Sequence, residues 1–170
     1  MSDILARWNG LPADDAADQI LPCCGSRAWA RSVAARRPVA DEKALLALSD
    51  EIWRGLTVSD WMEAFSNHPR IGERQAAKTT SPQSAAWSAQ EQHEAASTGD
   101  ALASALRDGN RQYEERFGRI FIICATGRSA TEIFDDLERR LQNDSETELR
   151  EAAEEQRKIS NLRLKKWLSA

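Results

Sequence analysis

Within the 170 residues of this chain, one run has the uniformly apolar character of a buried strand: Ile120-Phe121-Ile122-Ile123-Cys124-Ala125, bracketed by Gly118 and Gly127. One strand cannot make a sheet. The run is also too short to be told from a buried helical turn by periodicity. Elsewhere the apolar residues recur at helical spacing, so the reading is all-α: a single-domain bundle of roughly eight helices over residues 1–170, with one short extended segment and no repeat or linker. A chain of this length buries roughly two thirds of its unfolded surface and needs no staple.

Taken in order, Ile4, Leu5, Trp8 and Leu11 predict a short helix, and Pro12 with the acids after it predicts a second to about Leu21, broken by Pro22-Cys23-Cys24-Gly25-Ser26. Ser26 caps a third helix that ends before Pro38. Asp41 opens a fourth that runs to Gly55, and Thr57 opens a fifth carrying Trp61, Met62 and Phe65. Residues 73–86 have no apolar period and read as a long loop, a feature that is often functional. Three Ser-x-x-Glu patterns, at Ser88–Glu91, Ser129–Glu132 and Ser145–Glu148, read as capping boxes. The first opens a helix that contains His93 and runs to Phe117 with a break near Gly99 or Gly109. The second opens a helix reaching Leu141, and the third opens the last helix, reaching about Leu168.

Charge narrows the partners. The basic residues are dispersed, with 27 Asp plus Glu against 23 Lys plus Arg, which argues against nucleic acid. Cys23, Cys24 and Cys124 are odd in number and lack ligand spacing, so they read as reduced, buried cytosolic thiols. Neither histidine has a Cys or a second His at ligand spacing, so no metal is expected. The acid-rich first twenty residues read as neither secretory signal nor membrane span, and the ending Lys166–Ala170 does not read as an address signal. The chain is expected to be cytoplasmic.

The stretch Ser66-Asn67-His68-Pro69-Arg70-Ile71-Gly72-Glu73 fixes a histidine on a corner, because Pro69 excludes His68 from the α region and the arriving helix must stop near Asn67. A group that titrates near neutrality on a rigid turn suits a general acid or base. It would equally suit a side chain capping the preceding helix. Glu91 has a similar pair of readings: a carboxylate bonding its own helix cap, or, with Ser88 and Gln92, a polar ligand site at a helix N-terminus. On a helical wheel of the last helix, Leu149, Ala152, Ala153, Gln156, Ile159, Leu164 and Trp167 share one sector, with Glu151, Glu154, Glu155, Lys158, Lys165 and Lys166 opposite. Arg163 is the one charge inside the apolar sector. A guanidinium there needs an internal acid or a bound anion.

Together the motifs resemble one family. Cys-Cys-Gly-Ser with Trp29, Trp61 to Phe65 leading into His-Pro-Arg-Ile-Gly, Ser88-x-x-Glu91-Gln92, Phe117-Gly118 followed by Phe121 to Ala125, and Lys158-Ile159 leading to Leu162-Arg163-Leu164 resemble the decarboxylases of 2-oxo-4-hydroxy-4-carboxy-5-ureidoimidazoline (OHCU) over residues 20–168. The resemblance implies an all-helical, cofactor-free enzyme of urate breakdown that converts OHCU to (S)-allantoin and carbon dioxide, usually as a homodimer. Carried over by motif, His68 is the catalytic acid/base and Glu91 its partner. Pro69, Ser88 and Gln92 line the site, Arg163 holds the substrate, and backbone groups of Phe121, Ile122, Ile123, Cys124 and Ala125 bond its ring or ureido amides. Relatives fused to a second domain, or carrying a peroxisomal tail, differ from this chain in a way that suggests a stand-alone cytoplasmic enzyme. The competing expectation is a helical interaction module with exposed Trp-rich faces and His68 and Arg163 in structural roles.

Overall fold

Short polar side chains that accept from the backbone three residues on begin most of the helices. The computed structural model describes residues 2–71, 81–93 and 99–170, and among these lie nine α-helices and no strand. Helix α1 (Asp3–Asn9) starts behind Ser2, and α2 (Ala13–Cys24) behind Pro12. Ser26 opens α3 (Arg27–Ala35), Asp41 opens α4 (Glu42–Arg54), and a reciprocal Thr57–Asp60 pair opens α5 (Val58–Ser66). Ser81 opens α6 (Pro82–Glu91), and Gly99 precedes α7 (Asp100–Phe117). The Ser129–Glu132 capping box opens α8 (Ala130–Arg140), and Asp144 accepts from Thr147 at the start of α9 (Ser145–Leu168).

The chain is all-α, as its periodicity implies, but several boundaries differ. Helix α2 continues through Pro22 to Cys24 and stops only at Gly25, whose φ of 90° suits a residue without Cβ. Residues 82–86 are helical, because Ser81 followed by Pro82 at the first helical position is itself a start signal. Ser81 is the cap of that helix, and residues 72–80 lie outside the described residues. Ser88 therefore opens nothing: it is buried on α6, three residues before that helix ends, and His93 is exposed in the turn that follows. The third box fails too. Asp144 takes the cap position from Ser145, and Glu148 turns inward.

Contacts divide the chain into two units, residues 1–64 with 157–170, and residues 65–156. The first is built around indoles with satisfied N–H groups. Trp8 donates to Ala16 O at 2.8 Å, Trp29 to Ser49 Oγ at 3.2 Å, and Trp61 to Trp53 O at 2.9 Å. Arg37 lies over Trp8 and donates to the carbonyls of Trp8 and Leu11, closing the end of α1. The C-terminal half of α9 joins this unit through Arg157 and Asn161, both bonded to Asp50 of α4.

The second unit packs α7, α8 and the 121–125 segment around Ile71, Leu106, Tyr113, Phe121, Ile123, Ile133 and Leu137. Gly109 lets α7 and α8 approach, since a Cβ there would lie 2.6 Å from Leu137 Cδ2. Within this core Arg140 and Glu148, neither with measurable exposure, form an ion pair. Tyr113 donates its hydroxyl to Glu148. Burial, then the bond to Glu148, pushes the Tyr113 phenol well above its usual range. Burial alone would lower the basicity of Arg140, but its bonds to Glu148 and that carboxylate's charge hold it raised.

Candidate active site

The corner after α5 forms as its proline requires: the helix ends at Ser66, and His68 and Pro69 are buried outside it. Two contacts with α7 hold the corner, an Arg70–Glu114 ion pair at 2.6 Å and an Asn110 amide donated to Ile71 O at 3.1 Å. His68 is 7% exposed, and its Nε2 lies 2.6 Å from Gln156 Oε1. An amide oxygen accepts only, so Nε2 carries a proton and donates it to Gln156. This partner orients the ring without competing for the proton. The helical wheel places Gln156 among core-facing apolar residues and so gives its direction but not its task.

The next side chain back along α9 reaches the 121–125 segment. Glu155, placed on the outer sector by the wheel, is 7% exposed and accepts from Cys124 N–H at 2.8 Å. Arg140 Nη1 donates to Ile122 O at 2.7 Å. The segment from Phe121 to Ala125 makes neither helical nor strand bonds, and all five residues are buried. Among the described residues, no hydrogen bond meets the N–H or C=O of Ile123, which is 4% exposed. Buried backbone groups are nearly always paired, so a partner is owed there. Glu155 and Gln156, adjacent in sequence, thus connect this segment and the His68 ring to one turn of α9.

The remaining expected residues divide between the units. Ser88 is buried, and Glu91 and Gln92 are half-buried at the C-terminal end of α6. Spaced at i, i+3 and i+4, they share one helix face. A helix C-terminus repels anions, so the anion site expected there at a helix N-terminus is corrected. Pro69 and the 121–125 segment lie with them in the second unit, and Arg163 lies in the first. Arg163 is inward as expected, 2% exposed, with Nη1 3.4 Å from Pro22 O. Its charge acts on the buried thiols beside it: burial raises both Cys23 and Cys24, Cys24 to about 11, and Arg163 partly offsets the rise.

The sequence profile of the OHCU decarboxylase family matches residues 9–165. The chain belongs to that family. It is 38% identical over 153 residues to the uric acid degradation bifunctional protein TTL of Arabidopsis thaliana, a match covering 89% of this chain and 47% of that protein. Against the 2-oxo-4-hydroxy-4-carboxy-5-ureidoimidazoline decarboxylase of Mus musculus it is 45% identical over 65 residues, 38% of this chain and 36% of the mouse protein. The chain therefore spans about half the length of the Arabidopsis relative, and its matched stretch about a third of the mouse one. A solved OHCU decarboxylase, crystallised in the presence of (S)-allantoin, superposes with a TM-score of 0.77 at 35% identity, covering 90% of this chain and 99% of that one. The family profile runs across both units of the fold.

No helix among the described residues is long and apolar enough to cross a membrane, and no group of three His, Cys, Asp or Glu there could hold a metal. Val58 is the exposed large hydrophobic residue among them, while Trp8, Trp29 and Trp53 are buried. Trp61, Trp87 and Trp167 are half-buried.

Proposed function

We propose that residues 1–170 work as one domain that decarboxylates OHCU to (S)-allantoin and carbon dioxide, with His68 as general acid/base. The observation that carries this is a buried histidine, Nε2 bonded to Gln156, tethered through the adjacent Glu155 to a backbone segment with unmet hydrogen-bonding groups at Ile123. Membership of the decarboxylase family, and the likeness to a decarboxylase crystallised with (S)-allantoin, supply the substrate.

The chemistry suits these residues. When the carbon–carbon bond to the carboxylate breaks, carbon dioxide leaves and the electron pair passes into the conjugated C=N of the substrate, so the ring is its own electron sink. The protein must then orient the ring and set a proton on one face. His68 delivers that proton. Ile123 N–H and C=O bond an amide edge of the substrate, Pro69, Ser88 and Gln92 line the site with the rest of 121–125, and Glu91 serves His68. Arg163 binds the carboxylate or ureido group, for which a planar guanidinium offers two parallel donors.

The reading extends to a cofactor-free homodimer in the cytoplasm. Its supports are the family resemblance and three free, buried thiols. The test adds purified protein to urate turning over with urate oxidase and the hydrolase that makes OHCU, and follows the circular dichroism of the product. (S)-Allantoin should appear faster than in the blank, and activity should survive exhaustive chelation. Product no faster than the blank would sink the enzyme reading.

A further inference from the structure

Two buried charges act on a single residue of the 121–125 segment. Ile122 C=O and Ile123 N–H belong to one planar peptide group, and Ile123 C=O and Cys124 N–H to the next. Arg140 bonds the first group at Ile122 O, 2.7 Å away, and Glu155 bonds the second at Cys124 N–H, 2.8 Å away. In each case the charged side chain takes the outer end of the peptide group and leaves the end that belongs to Ile123. Among the described residues those two ends have no hydrogen bond.

We propose that Arg140 and Glu155 are positioning residues that aim and polarise the N–H and C=O of Ile123 toward a ligand carrying an N–H beside a C=O, as a ureide does. The inference rests on the decarboxylase reading. A trans peptide holds its C=O and N–H antiparallel, so Ile123 N–H points away from Arg140 and Ile123 C=O points away from Glu155. A cation on Ile122 O draws density toward that oxygen and makes Ile123 N–H a better donor. A carboxylate on Cys124 N–H makes Ile123 C=O a better acceptor. Hydrogen bonds from charged groups are the stronger kind, and both are held in place. Arg140 spends Nε and Nη2 on Glu148, which leaves Nη1 directed at Ile122 O. Glu155 lies 3.8 Å from Arg128. Closing the Ile122 and Cys124 groups alone needs only neutral partners, and burying charges for it is costly.

Glu155→Gln tests this, because the amide oxygen still accepts from Cys124 N–H while the charge is gone. KM for OHCU should rise about threefold, and calorimetric binding of (S)-allantoin should weaken by a similar factor, as Ile123 C=O loses the cooperative strengthening that a charged partner on the same peptide group gives it. kcat and the melting temperature should stay near wild type. Arg140→Lys, which keeps a cation but not the split fork, should raise KM in the same direction, whatever it does to melting. Unchanged KM and allantoin binding in Glu155→Gln, with wild type active, would overturn this inference alone. So would a fall in kcat and melting temperature without a change in KM, the mark of a structural role. Wild type that neither turns over OHCU nor binds (S)-allantoin would overturn the decarboxylase reading and this inference with it.

Discussion

His68 donates a hydrogen bond from Nε2–H to an amide oxygen, Gln156 Oε1 at 2.6 Å, on a side chain that cannot itself titrate near neutrality. The imidazole is held in place while the proton remains its own. His68→Asn should therefore lower turnover about 100-fold or more, the scale of a lost general acid or base, with the fold intact because Asn suits a loop corner before proline. Gln156→Leu should leave the ring present but unoriented and cost less than His68→Asn. The check is steady-state kinetics beside thermal melts; a His68→Asn enzyme within a few-fold of wild type would make the histidine structural.

Glu91 sits in the last turn of α6 and not at a helix start, so it has no capping box to serve. Glu91→Gln should then leave the melting temperature unchanged and lower kcat by about 10-fold or more, if the carboxylate assists His68. Normal kinetics with a lower melting temperature would confine Glu91 to stability.

Arg163→Lys keeps the charge of a nearly fully buried residue, 2% exposed, but loses the planar fork. Substrate binding should weaken while stability hardly changes. Arg163→Met goes further, and melts of both variants with and without (S)-allantoin separate the roles. A Met variant that melts several degrees lower yet gains the normal ligand-induced shift would take Arg163 out of the substrate site.

Cys24 is one of three buried groups, with Cys23 and Tyr113, whose raised pKa makes stability fall at alkaline pH. Burial, the largest cause, moves its thiol from 9.0 up to about 11. The folded state favours the protonated form, so this contribution is complete below pH 9 and is lost as pH rises toward about 11. Melting temperature should fall over that interval, and Cys24→Ala should flatten the fall. Ellman's reagent should label neither Cys23 nor Cys24 in the native protein. Rapid labelling near neutrality, or an alkaline fall identical in Cys24→Ala, would show that the thiol does not control it.

The chain's own sequence determined its class and most of its helix ends, because both depend on interactions within one turn. Ser26 with Trp29, Asp41 with Ala44, Ser129 with Glu132 and the corner before Pro69 are pairs at most three residues apart, and all form as read. Arg163 was also legible, since 3.6-residue periodicity alone turns it inward. The same locality misleads where a distant partner competes. Ser145-x-x-Glu148 is as good a capping pattern as Ser129-x-x-Glu132, yet Asp144 takes the cap and Arg140, on another helix, draws Glu148 into the core. Glu155 reads as solvent-facing on a wheel because a wheel counts apolar neighbours, whereas its burial is stabilised by the Cys124 amide, 31 residues away. Gln156 meets His68 across 88 residues. Tertiary structure alone decided which polar side chains α9 would bury, because the free energy that favours burying them resides in partners that no local pattern contains.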